Sequence, residues 1–137
     1  MKKSWGLTDK ILTGEKKIES RWYASNRSPW DRVEVGDTVY FKNSGEPITL
    51  KSGVEKVFQF SDLTPKKVQE ILKVYGADDG ITKRRMKDFF NLFKDKKYCI
   101  LIFLEKPLKI KPFEINKAGF GAMSAWVTVD NISKIKK

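Results

Sequence analysis

The chain has 137 residues, and its 28 Lys and Arg against 17 Asp and Glu give a formal net charge of +11 at pH 7. It contains no His and a single Cys, which excludes catalytic dyads and zinc sites built on imidazole, and also internal disulfides. Hydrophobic residues make up 40% of the chain, enough for one domain over residues 1–137 with a buried core, and we expect no metal and no cofactor.

No apolar run is long enough to cross a bilayer, and the first residues lack the apolar core of a signal peptide. We therefore predict a cytoplasmic protein with no membrane association, monomeric by default. The positive charge is spread along the chain rather than held in a tail, so it belongs to the folded body. Arg is much rarer than Lys, and its planar guanidinium can bind a phosphate or carboxylate through two hydrogen bonds. The positions of Arg are therefore more informative about a binding site. The five Arg residues are Arg21, Arg27, Arg32, Arg84 and Arg85.

The first third of the chain predicts a short helix and two strands. Thr8 is placed to cap a helix that ends at Leu12. Residues 17–23 alternate in the manner of a strand, and a polar loop over 24–34 precedes a second strand over 38–42.

The remainder predicts further strands around two helices. Residues 48–60 form one or two strands with a bulge or hairpin near Ser52, and Thr64 with Pro65 begins a helix that Gly76 ends. A second helix over 82–93 carries a stripe of Phe that we interpret as core. The apolar run 98–104 predicts a central strand with a buried Cys99, and two more strands are expected over 107–113 and 125–132, separated by a loop over 116–123. This order indicates an α+β fold, a curled, barrel-like sheet with helices packed at one side.

The junction between the first helix and the first strand carries a recognisable motif. Gly14, Lys16, Glu19 and Arg21 fit the pattern G-x-K-x-x-E-x-R, which resembles the signature of the ASCH domain, a small β-barrel family of the PUA-like superfamily. The likeness continues in V-G-D-T-V-Y-F at 35–41, in D-L-T-P at 62–65, and around Trp126.

This resemblance implies binding of RNA or other nucleic acid in a cleft between barrel and helix lined by the motif. Some ASCH members are amidohydrolases of acetylated cytidine that use the motif Lys and a Thr at the position where this chain has Glu19. Lys16 matches that pattern, whereas the Thr is absent. Glu70 is only a loose candidate for the carboxylate that such enzymes carry on a helix.

The residues themselves also predict a polar site. Strand alternation puts Glu19 and Arg21 on one face, and Lys16 lies where the chain enters the strand and could turn toward it. One carboxylate between two cations can orient donors toward a phosphate or a base. The alternative is a salt bridge that merely closes the barrel.

Aromatic side chains and two further Arg residues complete the predicted site. Tyr23 is the better stacking candidate, since Trp22 lies on the opposite face and is expected in the core. Trp30 either stacks on a ligand or anchors its loop. The candidate nucleic-acid-binding residues are therefore Lys16, Glu19, Arg21, Tyr23, Arg27, Trp30 and Arg32.

Three functions follow from these residues. The first is a module that binds RNA, single-stranded nucleic acid or a nucleotide-like small molecule. The second is a hydrolase of a modified nucleoside with Lys16 as base or electrostatic catalyst and Glu19 as acid/base. The third, permitted by the resemblance alone, is a protein-interaction module in a transcription or translation assembly.

Overall fold

Four antiparallel strands form one curled sheet, with helices on both of its faces. The structure is a computed structural model that describes residues 6–25, 30–43, 45–115 and 136. In chain order its helices and strands are α1 (Leu7–Thr13), β1 (Ile18–Tyr23), β2 (Thr38–Lys42), β3 (Ile48–Phe60), α2 (Pro65–Tyr75), α3 (Met86–Phe93) and β4 (Tyr98–Phe113). The predicted α+β architecture is confirmed, and α1 packs on the face of the sheet opposite to α2 and α3. The predicted strand over 125–132, the loop over 116–123, Arg27 and Trp126 lie outside the described residues.

Strand β4 is one of the two inner strands of the sheet, as its apolar sequence predicted. The strand order is β1-β4-β3-β2, and each neighbouring pair is antiparallel. The four residues from Cys99 to Ile102 are all essentially inaccessible to solvent. A strand covered on both faces needs apolar side chains at consecutive positions, which explains the unbroken run.

The prediction of two separate strands over 98–104 and 107–113 is wrong, because β4 runs continuously through both. The break in the apolar pattern is a bulge. Gly53 of β3 pairs with Glu105, the register shifts beyond it, and Lys106 has a left-handed φ of 50°. Such a bulge leaves residues outside the ladder, so Pro107, which has no N–H to donate, is tolerated within the strand. The hydroxyl of Ser52 donates to the carbonyl of Glu105 at 2.7 Å and fixes the distortion.

Helix α2 has the predicted ends, whereas α1 begins differently. The Thr64 hydroxyl accepts a hydrogen bond from the Lys67 amide at 3.3 Å, and Pro65 is the first helical residue. In α1, the residue before the helix is Gly6 and no side chain caps it. The predicted cap at Thr8 is wrong because its hydroxyl instead donates to Asn43 Oδ1, at 3.2 Å, beyond the end of β2.

The sheet separates two hydrophobic cores. The α2-side core contains Ile18, Trp22 and Leu101 and is covered by α2 and α3; the α1-side core contains Ile100 and Ile102 and is covered by α1. Helix α3 starts at residue 86 after a 3-10 turn over 83–85, so the predicted helix over 82–93 is α-helical only in its later part. Its stripe packs on the α2-side core as predicted, through the half-buried Met86, Phe89, Phe90 and Phe93. Among the described helices, none has the length and apolar character needed to span a bilayer.

Candidate nucleic-acid interface

Strand β1 distributes the motif residues over both faces of the sheet. Its side chains alternate, and the partner residues of β4 follow the same alternation between the two cores. The side chains on the α2 side are those of Ile18, Ser20 and Trp22. The side chains on the opposite face, called here the β1 face, are those of Glu19, Arg21 and Tyr23.

Lys16 is buried and bound to a turn rather than to the β1 face. Its Nζ donates to the backbone carbonyl of Ile18 at 2.6 Å, to that of Asp79 at 2.7 Å, and to Asp79 Oδ1 at 2.5 Å. An ammonium group has three hydrogens, and three acceptors use them all. The structure therefore differs from the expected arrangement, in which Lys16 turned toward Glu19 and kept donors for a phosphate.

Asp79 is the buried acid that the sequence did not reveal. Its Oδ2 accepts from the Ser20 hydroxyl at 2.5 Å, and that hydroxyl accepts from Trp22 Nε1 at 3.0 Å. Burial raises the pKa of Asp79, Lys16 opposes this, and the charge of Glu19 raises it further. The result is a connected polar network through the α2 side of β1.

The turn that carries Asp79 also holds the beginning of β1 through its backbone. The carbonyl of Asp78 accepts from the amides of Lys17 and Ile18, at 2.6 and 2.9 Å. Gly80 has a φ of +83° and packs closely against Lys16, because an added Cβ would lie 3.3 Å from the Lys16 side chain. Glu70, the loose candidate for a helix carboxylate, is exposed on α2. The acid that pairs with Lys16 is instead Asp79, from this turn.

Glu19 and Arg21 lie together on the β1 face, as the alternation predicted. Arg21 Nε is 4.0 Å from Glu19 Oε1, and the two side chains are 20% and 8% exposed. Glu19 Oε2 is buried and has no hydrogen-bond partner among the described residues. A buried carboxylate oxygen without a donor is costly, so a ligand that donates to this atom would gain from it.

Aromatic rings lie at the end of the β1 face. Tyr23 pairs with Tyr98 across the strands, and the ring of Trp30 meets that of Tyr98 edge to face, with centroids 5.1 Å apart. The loop that carries Trp30 is attached to β3, because the backbone and side chain of Asp31 each bond to the Gln59 amide at 2.7 Å. The structure thus brings Tyr23 and Trp30 to the face that carries Arg21.

The remaining predicted residues have simpler positions. Trp22 is buried and stacks on Phe93 with centroids 4.8 Å apart, which confirms its place in the core. Cys99 is fully buried, as expected. Arg32 is exposed in the loop after Trp30. Within the described residues, no group of three or more His, Cys, Asp or Glu could hold a metal ion.

Solved structures with the same architecture exist. The ASCH structure from Zymomonas mobilis superposes with a TM-score of 0.57 over 80% of this chain and 67% of that one, at 14% identity. A Tyr-to-Phe variant of the same protein gives 0.60 over 83% and 71%, at 15% identity. The chain has an ASCH-like fold. This confirms the predicted α+β fold, a small curled sheet with helices.

The likeness to the ASCH structures is one of fold. No protein-family model and no curated protein sequence matches the chain. At 14% and 15% identity, the superposition shows a shared arrangement of helices and strands but does not show the role of any side chain. The roles of the seven candidate residues in this ASCH-like chain therefore remain predictions, argued below from their geometry.

Proposed function

We propose that this ASCH-like chain is a binding module for RNA or single-stranded nucleic acid, which it holds in a basic cleft between the sheet and a helix. The observation that carries the proposal is the composition of the β1 face. A cation, Arg21, and a buried acceptor, Glu19, lie beside Tyr23 and near Trp30. Phosphate, base edge and base plane each have a chemically matched group there.

Each residue has a distinct part in the proposal. Arg21 and Arg32 supply cations for phosphates, with Arg27 from the same loop sequence. Tyr23 and Trp30 offer rings, and base stacking on an aromatic side chain contributes roughly 1–3 kcal/mol per base. Lys16 acts indirectly, because its bonds to the turn at Asp79 fix the beginning of β1.

The proposal predicts binding that weakens steeply with salt. A protein that neutralises phosphates releases condensed counterions, so its affinity falls as the salt concentration rises. The experiment is fluorescence anisotropy with labelled single-stranded RNA and DNA oligomers at several salt concentrations. Affinity that does not change with salt would contradict binding through phosphates.

A matched pair of variants separates a defined site from general charge. Arg21→Gln and Arg84→Gln each remove one positive charge, but Arg84 is exposed in the turn before α3 on the other side of the sheet. We expect Arg21→Gln to weaken binding severalfold more than Arg84→Gln. Equal losses would indicate nonspecific attraction to the basic body of the protein.

The hydrolase alternative receives less support from the structure. A general base at Lys16 has to reach the substrate, whereas its buried Nζ is already bound to Asp79 Oδ1 and two backbone carbonyls. Turnover of a modified nucleoside that is abolished in a Lys16→Met protein shown to be folded would nevertheless establish it over the binding proposal. A stoichiometric protein partner that resists nuclease, without nucleic-acid binding, would establish the interaction module instead.

A further inference from the structure

We infer that the base subsite of the β1 face selects bases that carry an exocyclic amino group over uracil, with Glu19 as the selecting residue. The inference rests on the proposed function and adds to it the chemical class of the base. It begins from one atom, Glu19 Oε2, which is buried without a hydrogen-bond partner among the described residues. The side chain that carries it is only 8% exposed.

The second step is the kind of partner this atom requires. An ionised carboxylate only accepts hydrogen bonds, so Oε2 requires a donor. The charge of Glu19 is balanced on its other oxygen, where Arg21 Nε lies 4.0 Å from Oε1. A ligand that donates to Oε2 removes the cost of an unsatisfied buried acceptor, whereas a ligand that presents another acceptor adds repulsion to that cost.

The third step compares the bases. Cytosine and adenine each present an amino donor at the end of the pairing edge, and guanine presents an amino group beside a ring N–H. Carboxylate acceptance from the cytosine amino group is an established form of base recognition. Uracil has a single ring N–H between two carbonyl oxygens, so a carboxylate that approaches this donor meets two acceptors. Glu19 therefore discriminates against uracil, because uracil offers no donor that a carboxylate can approach without also meeting a carbonyl oxygen.

The position of the subsite agrees with this assignment. Tyr23 follows Glu19 and Arg21 on the same face and is half-buried, about 13 Å along the strand from Glu19, so its ring can stack on a base next to the one that Glu19 contacts. The Arg21 side chain is 20% exposed, so solvent reaches this part of the β1 face. Stacking on Tyr23 is common to all bases, so it supplies affinity, and Glu19 supplies the preference.

The experiment compares RNA oligomers of equal length made only of cytidine or only of uridine, at one salt concentration. Their phosphates are identical, so the counterion contribution cancels in the ratio of the two dissociation constants. We expect the cytidine oligomer to bind at least about tenfold more tightly than the uridine oligomer. An adenosine oligomer should also bind more tightly than the uridine oligomer.

Two glutamate variants identify the residue responsible. Glu19→Gln keeps the shape but adds an amide donor, which can pair with a uracil carbonyl, so the cytidine-to-uridine ratio should fall toward one. The control is Glu15→Gln, at an exposed position just before β1, which should leave the ratio unchanged. A merely structural role for Glu19 would change stability without changing the ratio.

The outcomes distinguish this inference from the proposed function. Equal, salt-dependent binding of the two oligomers overturns the selection of amino bases and leaves the nucleic-acid module intact. A ratio above tenfold that persists in a folded Glu19→Gln protein overturns the assignment to Glu19. Failure of every oligomer to bind overturns both proposals.

Discussion

Lys16 and Asp79 form a buried ion pair across 63 positions of the chain, with Nζ 2.5 Å from Oδ1. The pair connects the turn after α2 to the residue that leads into β1. It also places the motif lysine on the α2 side of the sheet, away from the face that carries Glu19 and Arg21. Within the motif, one residue thus supports the strand while two others face the proposed ligand.

Removal of the lysine charge should strongly destabilise the fold. In Lys16→Met the Asp79 carboxylate keeps its burial and loses its cation, and breaking a buried pair in this way costs about 3–5 kcal/mol. Urea unfolding at neutral pH measures the loss. Lys17→Met is the matched control, since the neighbouring side chain is exposed and should change stability by less than about 0.5 kcal/mol. Similar values for both variants would mean that the pair contributes nothing.

The titration of Asp79 should respond to its three polar neighbours in opposite directions. Its pKa is raised by burial, lowered by Lys16, raised by the charge of Glu19 and lowered by the Ser20 hydroxyl. We therefore expect Glu19→Gln to lower the pKa of Asp79 and Ser20→Ala to raise it. Carbon-13 NMR of the carboxyl group measures both shifts, and shifts of the same sign would contradict this account.

Asp79 should also make stability fall as the pH rises. Because its pKa is higher in the folded chain than in the unfolded chain, the folded state holds the proton more tightly. The favourable contribution is complete below the ordinary pKa of aspartate and is lost as the pH rises through the folded value. The difference in unfolding free energy between the wild type and Asp79→Asn, followed from acid to neutral pH, should decrease accordingly. A difference that grows over this range would contradict the sign.

The stacked rings of Trp22 and Phe93 should couple β1 to α3. Their planes differ by only 7°, and aromatic pairs contribute about 0.5–1.5 kcal/mol beyond the area they bury. A double-mutant cycle of Trp22→Leu and Phe93→Leu should give a coupling energy in that range. Leu92→Ala, at a position 56% exposed on the same helix, should leave stability nearly unchanged. A coupling energy near zero would show that contact between the two rings adds no stability beyond the area they bury.

Cys99 should be inert in the folded protein. Burial, aided by the negative charge of Asp79, raises the pKa of its thiol, and the side chain is inaccessible to solvent. A thiol reagent should label native protein only as fast as the chain opens and should label urea-unfolded protein at the rate of a free thiol. Because the chain has one cysteine, the reaction reports a single site. Rapid labelling of native protein would contradict the buried position.

The sequence predicted those features that local chemistry determines. Thr64 and Pro65 start a helix wherever they precede a periodic apolar pattern, and the apolar run from residue 98 indicated a strand covered on both faces. The alternation of β1 correctly put Glu19 beside Arg21. These features depend on residues within a few positions of one another, so they can be read without the rest of the fold.

The features that the sequence did not predict depend on distant contacts. Asp78 and Asp79 are adjacent acids before a glycine, and only the packing of the turn against β1 decides that the second is buried on Lys16. The role of Thr8 likewise depends on Asn43, which a cap prediction does not consider. The continuity of β4 through Pro107 required knowledge of the bulge opposite Ser52.

The position of β1 beside β4 has a consequence for how the chain folds. Ile18 pairs with Phe103, and Tyr23 with Tyr98, so the first strand can join the sheet only after nearly the whole described chain has been synthesised. A contact order dominated by such pairings slows folding toward the millisecond-to-second range. During translation, the strand that carries Glu19 and Arg21 stays unpaired until β4 has been made, so the face proposed to bind the ligand is among the last parts of the described chain to assemble.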